Sequence, residues 1–517
     1  MAGDLFVVRG DLRRLACDAW LLPGEEQIAI NGAWKQRPPA WLYSVLSDGG
    51  PLTPPPGWGH EGIRVFKLHE GIAGKEPEVW FGNTGGWPKL DPEWYVRGVL
   101  QFLEGASASV VAHMDGNDRR RRPLLAFPLV GTGEGGQAAQ KERVVKGLLQ
   151  VAYGWARDHD VDVAIVVKGA SDFAAVQRFR RDAGLGQGLG GAQLVLARKL
   201  AEKAREGTLV VFFGAGVSAP AGLPRWDELL SQLASRAELS PEIRDRLPDV
   251  NVLDRARVIE VGLARVNRNL QQEIADSLKG DAPVSLLHMQ LASLPVTDFV
   301  TTNYDCRFEA AVEHGLAEQV LAVIPYDSVV GATRRLLKMH GTIDHPADIV
   351  LTRDDYLRFP ERRGALAGIV QALLITRHML FVGFSFGDDN FHRIAFDVRN
   401  ALAGLTGSST TRFGTAFVLD GADIAREIWG DDLEIIDLGE DRESAIRTQA
   451  RILDDVLLES TSAVGHLLDD AYASALSKEE KALKKALVSV EAAARDTPAS
   501  EYVERILREF GHKPGTS

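Results

Sequence analysis

TLVVFFGAGVSAPAGLPRW, residues 208–226, decides the fold. An unbroken apolar run, Leu209–Phe213, passes directly into Gly214-Ala215-Gly216-Val217-Ser218. A strand apolar on every side chain has both faces covered, as in a parallel sheet packed between helices. Glycines at its end allow a tight turn and let a phosphate approach backbone N–H groups, and a following helix start adds a favourable dipole. Alone, such a turn serves packing as readily as phosphate binding.

Working outward, the same pattern recurs. FVTTNYD (299–305) places Thr302, Asn303 and Asp305 just past a strand, and LLKMHG (336–341) places His340 and Gly341 past another. MLFVGFSFGDDN (379–390) ends a third strand on Gly383, Phe384 and Ser385. Further strands are predicted at 296–301, 320–324, 349–351, 416–419 and 433–437. Carboxyl ends of strands in an open α/β sheet share one crevice, where ligands bind. Glycines, an amide, an imidazole and a hydroxyl thus converge on one edge, although each has a plain reading as turn former, core histidine or helix cap. The pattern predicts a Rossmann-like, doubly wound, mostly parallel sheet over residues 192–440.

Before it, apolar runs at 5–9, 18–22, 63–68, 79–82, 124–128 and 161–167 alternate with helical spacing at 93–103, 140–158 and 172–181, an α/β/α arrangement over 1–183. GLGQGLGG (184–191) reads as a flexible linker. After 440 the spacing is helical, giving a carboxyl-terminal appendage over 441–517. The chain has 517 residues, a formal charge of −12, 45% hydrophobic and 25% charged residues. That charge argues against a general nucleic-acid binder, which presents a basic face. No apolar stretch reaches the ~20 residues of a membrane span. Two cysteines, Cys17 and Cys306, are too few for a disulfide framework or an all-cysteine zinc site. A cytoplasmic protein is expected.

The ordered blocks GAGVS with AGLP, TTNYD, MHG and GFS resemble the signature of the sirtuin family over about half the chain. The resemblance implies NAD as substrate. It implies that Gly214, Ala215, Gly216 and Ser218 cradle its phosphates and that Asn303 and Asp305, with Thr302, line the ribose and nicotinamide pocket. It further implies His340 as catalytic base and Gly383 and Ser385 on the adenosine side. Protein-deacetylating sirtuins carry a four-cysteine zinc ribbon after the HG block; residues 342–382 here contain no cysteine. Gly222-Leu223-Pro224-Arg225-Trp226 also replaces the usual segment at that point. Both departures resemble the bacterial antiphage NAD hydrolases of Thoeris systems, so no metal and no deacetylation are expected. Cleavage of the nicotinamide–ribose bond needs positioning and charge stabilisation more than acid catalysis. Asn303 is read as holding the ribose and a water, and His340 as the proton acceptor.

DLFVVRGDLRRLACDAWLLP (4–23) and LLAFPLVGTGEGG (124–136) resemble a macro domain, which binds ADP-ribose. That resemblance implies a second nucleotide site at Asp11, Gly131, Thr132 and Gly133. The expected partners are NAD, an ADP-ribose-like nucleotide or a phage protein at the amino-terminal domain, and further copies of the chain. The whole reads as a regulated NAD hydrolase depleting NAD in abortive antiviral defence. A non-catalytic NAD or ADP-ribose sensor that signals by assembly, and a mono-ADP-ribosyltransferase, stay open beside it.

Overall fold

The computed structural model describes residues 2–512, apart from 37, 48–53, 60–61, 73–75, 85–90, 114–121, 133–139, 281–282 and 404–411. The chain forms two compact units. One comprises residues 1–201, 292–294 and 451–517; the other comprises 202–291 and 295–450.

The first unit is built on six strands: β1 (Leu5–Arg9), β2 (Ala19–Gly24), β3 (Val65–His69), β4 (Glu78–Asn83), β5 (Leu124–Pro128) and β6 (Asp162–Val167). Their order is β1-β6-β5-β2-β4-β3, parallel except for β3 at the edge, which runs antiparallel to β4. β1 is buried along its whole length, as its run of five consecutive non-alternating residues requires.

Residues 184–191 behave differently from a free linker. Gln187, inside the glycine run, is buried; its backbone N–H donates to Asp455 Oδ1 at 2.9 Å, and its side-chain amide donates to the Leu5 carbonyl and to Asp454 Oδ2. Those glycines give the chain a tight path, and Gln187 fastens it. The helical tail is likewise attached: residues 451–517 fold with the first unit rather than standing apart. Helices at Lys478–Ala494 and Ser500–Arg508 form where the spacing places helix, and no strand occurs after Asp437 among the described residues.

In the second unit, β7 (Leu209–Phe213), β8 (Asp298–Thr301), β9 (Leu321–Ile324), β10 (Arg334–Lys338), β11 (His378–Val382), β12 (Gly414–Val418) and β13 (Leu433–Asp437) form one parallel sheet. The order is β13-β12-β11-β7-β8-β10-β9. From β7 the chain builds outward through β8 in one direction and later through β11 in the other, so the switch point lies between β7 and β11. That is the place where an open parallel sheet opens a crevice. A core of Phe212, Phe381, Phe384, Phe391 and Trp429 packs beneath it.

One expected strand is absent. Residues Ile349–Leu351 are buried but extended outside any sheet. The Val350 N–H donates to the His340 carbonyl, and the Val350 carbonyl accepts from the Tyr304 hydroxyl at 2.6 Å, so no neighbouring strand is needed. Ile349 and Leu351 instead close a second small core with helices Trp226–Arg236, Val252–Arg265 and Leu270–Leu278, which fill the long connection between β7 and β8. Among the described residues no helix is long and apolar enough to cross a membrane.

Candidate functional site

The turns after β7 and β11 meet backbone to backbone. Gly214 N–H donates to the Val382 carbonyl and Gly216 N–H to the Gly383 carbonyl, both at 3.0 Å. Gly383 has φ +61°, and a Cβ there would lie 2.8 Å from Val217 N. A Cβ on Gly214 would lie 2.6 Å from the Gly383 carbonyl oxygen. These glycines are therefore required by the contact between the two turns, whatever else they touch. Gly383→Ala is expected to cost about 1–3 kcal/mol from left-handed strain alone, more with the clash, read as a lowered thermal midpoint. An unchanged midpoint would show that the turns separate freely.

Ser218 closes the β7 turn, and its hydroxyl is the hub of a buried cluster. Ser218 Oγ lies 3.0 Å from Asp305 Oδ2, 3.2 Å from Asn303 Nδ2 and 3.3 Å from His288 Nε2. All four side chains are less than a tenth exposed. Asn303 and Asp305 reach it because β8 ends at Thr301, whose hydroxyl donates to the Phe213 carbonyl and accepts from the Asn303 N–H. Lys338, buried at the end of β10, holds the same loop from behind. Its ammonium donates to the carbonyls of Tyr304 and Asp305 and to Glu309 Oε1.

His340 sits two residues beyond β10, fully packed between the rings of Tyr356 and Phe359. Its Nε2 faces Asn390 Nδ2 at 3.3 Å and Asp388 Oδ2 at 3.4 Å. Asp388 is itself fixed: it accepts from the Tyr356 hydroxyl and caps helix Asp389–Leu402 through the Phe391 N–H. Burial pushes the imidazole below its ordinary pKa, against the pull of Asp388, so the ring is neutral at pH 7. A neutral imidazole beside a carboxylate is equipped to accept a proton and to be stabilised once it has done so.

The structure thus joins Ser218, Asn303 and Asp305 in one cluster, and brings Gly214 and Gly216 against Gly383. His340 occupies the neighbouring strand end. Thr302 is half-buried, and Ala215 and Ser385 are exposed on the turns. His288, Asp388, Asn390 and Lys338 were not singled out by the sequence. His288 and Asn390 lie within helices, Lys338 within a strand and Asp388 at a helix N-cap, where their types carry no motif.

The amino-terminal residues are placed otherwise. Asp11 is buried and bound by Arg13 through both oxygens, Nε at 2.8 Å and a second nitrogen at 2.5 Å. Burial opposes its charge, yet Arg13 holds the carboxyl below the usual range. Gly131 has φ +72° against the Tyr95 ring, and Thr132 Oγ1 donates to the Leu129 carbonyl. Gly133 lies outside the described residues. Among the described residues, no group of three or more His, Cys, Asp or Glu side chains could hold a metal ion. Cys306 lies beside Thr342 and Asp344, and burial pushes its thiol up to about 12.

A parallel sheet with its switch point at β7 and β11, and an amide and an imidazole at the next strand ends, defines a doubly wound α/β domain with its ligand crevice at that edge. Residues 297–430, within the second unit, match the SIR2-like domain family. Similar proteins include the NAD(+) hydrolase ThsA of Enterococcus faecium, 31% identical over 215 residues, or 40% of this chain and 43% of that protein. The NAD(+) hydrolase ThsA of Bacillus cereus is 30% identical over 208 residues, 38% of this chain and 41% of that protein. Defense-associated sirtuin 2 of Bacillus subtilis is 24% identical over 212 residues, 39% of this chain and 20% of that protein. The chain therefore spans less than half the length of each of these relatives.

Proposed function

We propose that this chain is an NAD+ hydrolase, a regulated antiphage defence effector that splits NAD+ and water into nicotinamide, ADP-ribose and a proton. The observation that carries the proposal is the pair of pinned, buried groups at adjacent strand ends: the Asn303 amide held by Ser218, and the neutral His340 held by Asp388 and Asn390. The nicotinamide–ribose bond breaks through an oxocarbenium-like centre with a neutral leaving group, so positioning supplies most of the acceleration. Asn303 holds the ribose and the attacking water, and His340 receives the proton that water loses. Gly214, Ala215, Gly216 and Ser218 line the phosphate side, with Thr302 and Asp305 toward the ribose and Gly383 and Ser385 toward the adenosine. Similarity to hydrolases named for NAD, in a SIR2-like domain, supports the reading.

Purified protein incubated with NAD should release nicotinamide. Binding without release would instead indicate a sensor, and labelled NAD transferred to protein would indicate an ADP-ribosyltransferase. Turnover should be unchanged after dialysis against a chelator, because water is activated by His340 in this scheme. Loss of turnover restored by zinc would overturn that assignment.

For the first unit we propose a macro-like domain that serves, in a cytoplasmic protein, as a detector taking an ADP-ribose-like nucleotide or a phage protein. Its six-stranded mixed sheet supports the fold reading. The Asp11–Arg13 pair, which occupies both carboxylate oxygens, favours a protein surface over an adenine hook. Self-association is proposed with it, checked by mass measurement in solution.

A further inference from the structure

His288 lies on helix Leu286–Ser293, is fully buried, and takes no part in the scheme above. Its hydrogen bonds nevertheless reach Asn303 through Ser218. The Ser285 backbone N–H points at His288 Nδ1 from 3.1 Å. A backbone N–H can only donate, so Nδ1 carries the lone pair and Nε2 carries the hydrogen. The Ser285 hydroxyl accepts from the His288 backbone N–H and stands 2.7 Å from the Val217 carbonyl and 2.9 Å from Nδ1, so with a bare Nδ1 its proton lies between two acceptors. Burial pushes the ring down to about 4, so it stays neutral and keeps this single tautomer at pH 7.

His288 Nε2–H then faces Ser218 Oγ. The Ser218 proton is committed to Asp305 Oδ2, a carboxylate that can only accept, so Ser218 offers lone pairs to its other neighbours. Asn303 must therefore meet Ser218 with its NH₂, and its carbonyl oxygen is left for whatever occupies the site. We infer that His288 is a positioning residue: a relay from the Ser285 N–H through His288 fixes the place of the Ser218 hydroxyl, which with Asp305 holds the Asn303 amide. Without it, one Ser218 lone pair loses its donor, and the hydroxyl and the amide resting on it shift from the position in which the Asn303 carbonyl oxygen meets a ribose hydroxyl or water. The kinetic consequence rests on the proposed NAD cleavage; the tautomer does not.

Two measurements test this. In ¹⁵N-histidine-labelled protein, the resonance lost in His288→Gln should show a protonated Nε2 and bare Nδ1. The opposite tautomer would overturn the relay even in a protein that released no nicotinamide, a result that would count against the proposed function separately. In turnover, His288→Leu should lower kcat by about 10²-fold, as a small misplacement of a reacting group does, with KM little changed. His288→Gln, which restores an N–H at the Nε2 position, should recover most of that rate. Combining His288→Leu with Ser218→Ala should be no worse than the poorer single variant, because both act through one hydroxyl. Equal losses in the Leu and Gln variants, or additive losses in the double variant, would reduce His288 to packing. Should the Leu variant fail to fold, the Gln variant and the ¹⁵N spectrum still decide.

Discussion

Replacing His340 by alanine should lower nicotinamide release by ~10²–10⁴-fold, the usual cost of losing a positioned base, while the domain stays folded and NAD still binds. The ring is held by Asp388, Asn390, Tyr356 and Phe359 and makes no sheet hydrogen bond through its side chain, so the strands survive its loss. The glycine turns after β7 and β11 are untouched, which is why binding should persist. Asn303→Ala should produce a loss of the same order by a different route, since it removes the amide that orients ribose and water. Asp388→Asn is the informative companion: it keeps the size and the helix cap but removes the charge beside His340, so its effect should be smaller and confined to kcat. Undiminished nicotinamide release by a folded His340→Ala protein would remove the imidazole from the mechanism.

The second unit was legible because its physics is local. Strands covered on both faces are continuous apolar runs, so β7 and β11 declare themselves, and the residues that follow them must lie at one edge. Where the reading failed, the deciding contact was distant in sequence. Ile349–Leu351 has the composition of a strand, but its backbone is satisfied by His340 and a tyrosine hydroxyl 46 residues away. His288 meets Ser218 across 70 residues and Asn390 meets His340 across 50, from helical positions that show no spacing signal. GLGQGLGG carries a linker's composition, and one glutamine within it overrides that composition through a carboxylate 267 residues away.

That carboxylate belongs to the second large effect. Arg180→Met should destabilise the first unit by about 3–5 kcal/mol, because it leaves Asp454 charged, buried and without its counterion. The pair is closed at 2.7 Å with both side chains fully buried. Around it, Gln177 accepts from Arg180, while Val7 N–H and the Gln187 amide donate to Asp454. The network therefore joins β1, helix Ala170–Asp182, the glycine segment and the start of the carboxyl-terminal stretch. Against a total stability of roughly 5–15 kcal/mol for a domain, such a loss should shift the first urea transition markedly and expose residues 451–512 to protease. Arg178→Ala is the control, since each side chain of its pair with Glu480 keeps about a fifth of its surface in water, so the carboxylate left behind can be rehydrated and the loss should be clearly smaller. The double change Arg180→Met with Asp454→Leu should regain much of the lost stability, because removing both charges leaves none uncompensated. Should Arg180→Met behave like Arg178→Ala, the carboxyl-terminal segment is held by its apolar contacts, Leu453, Val456 and Leu457 among them, and the ion pair only sets its register.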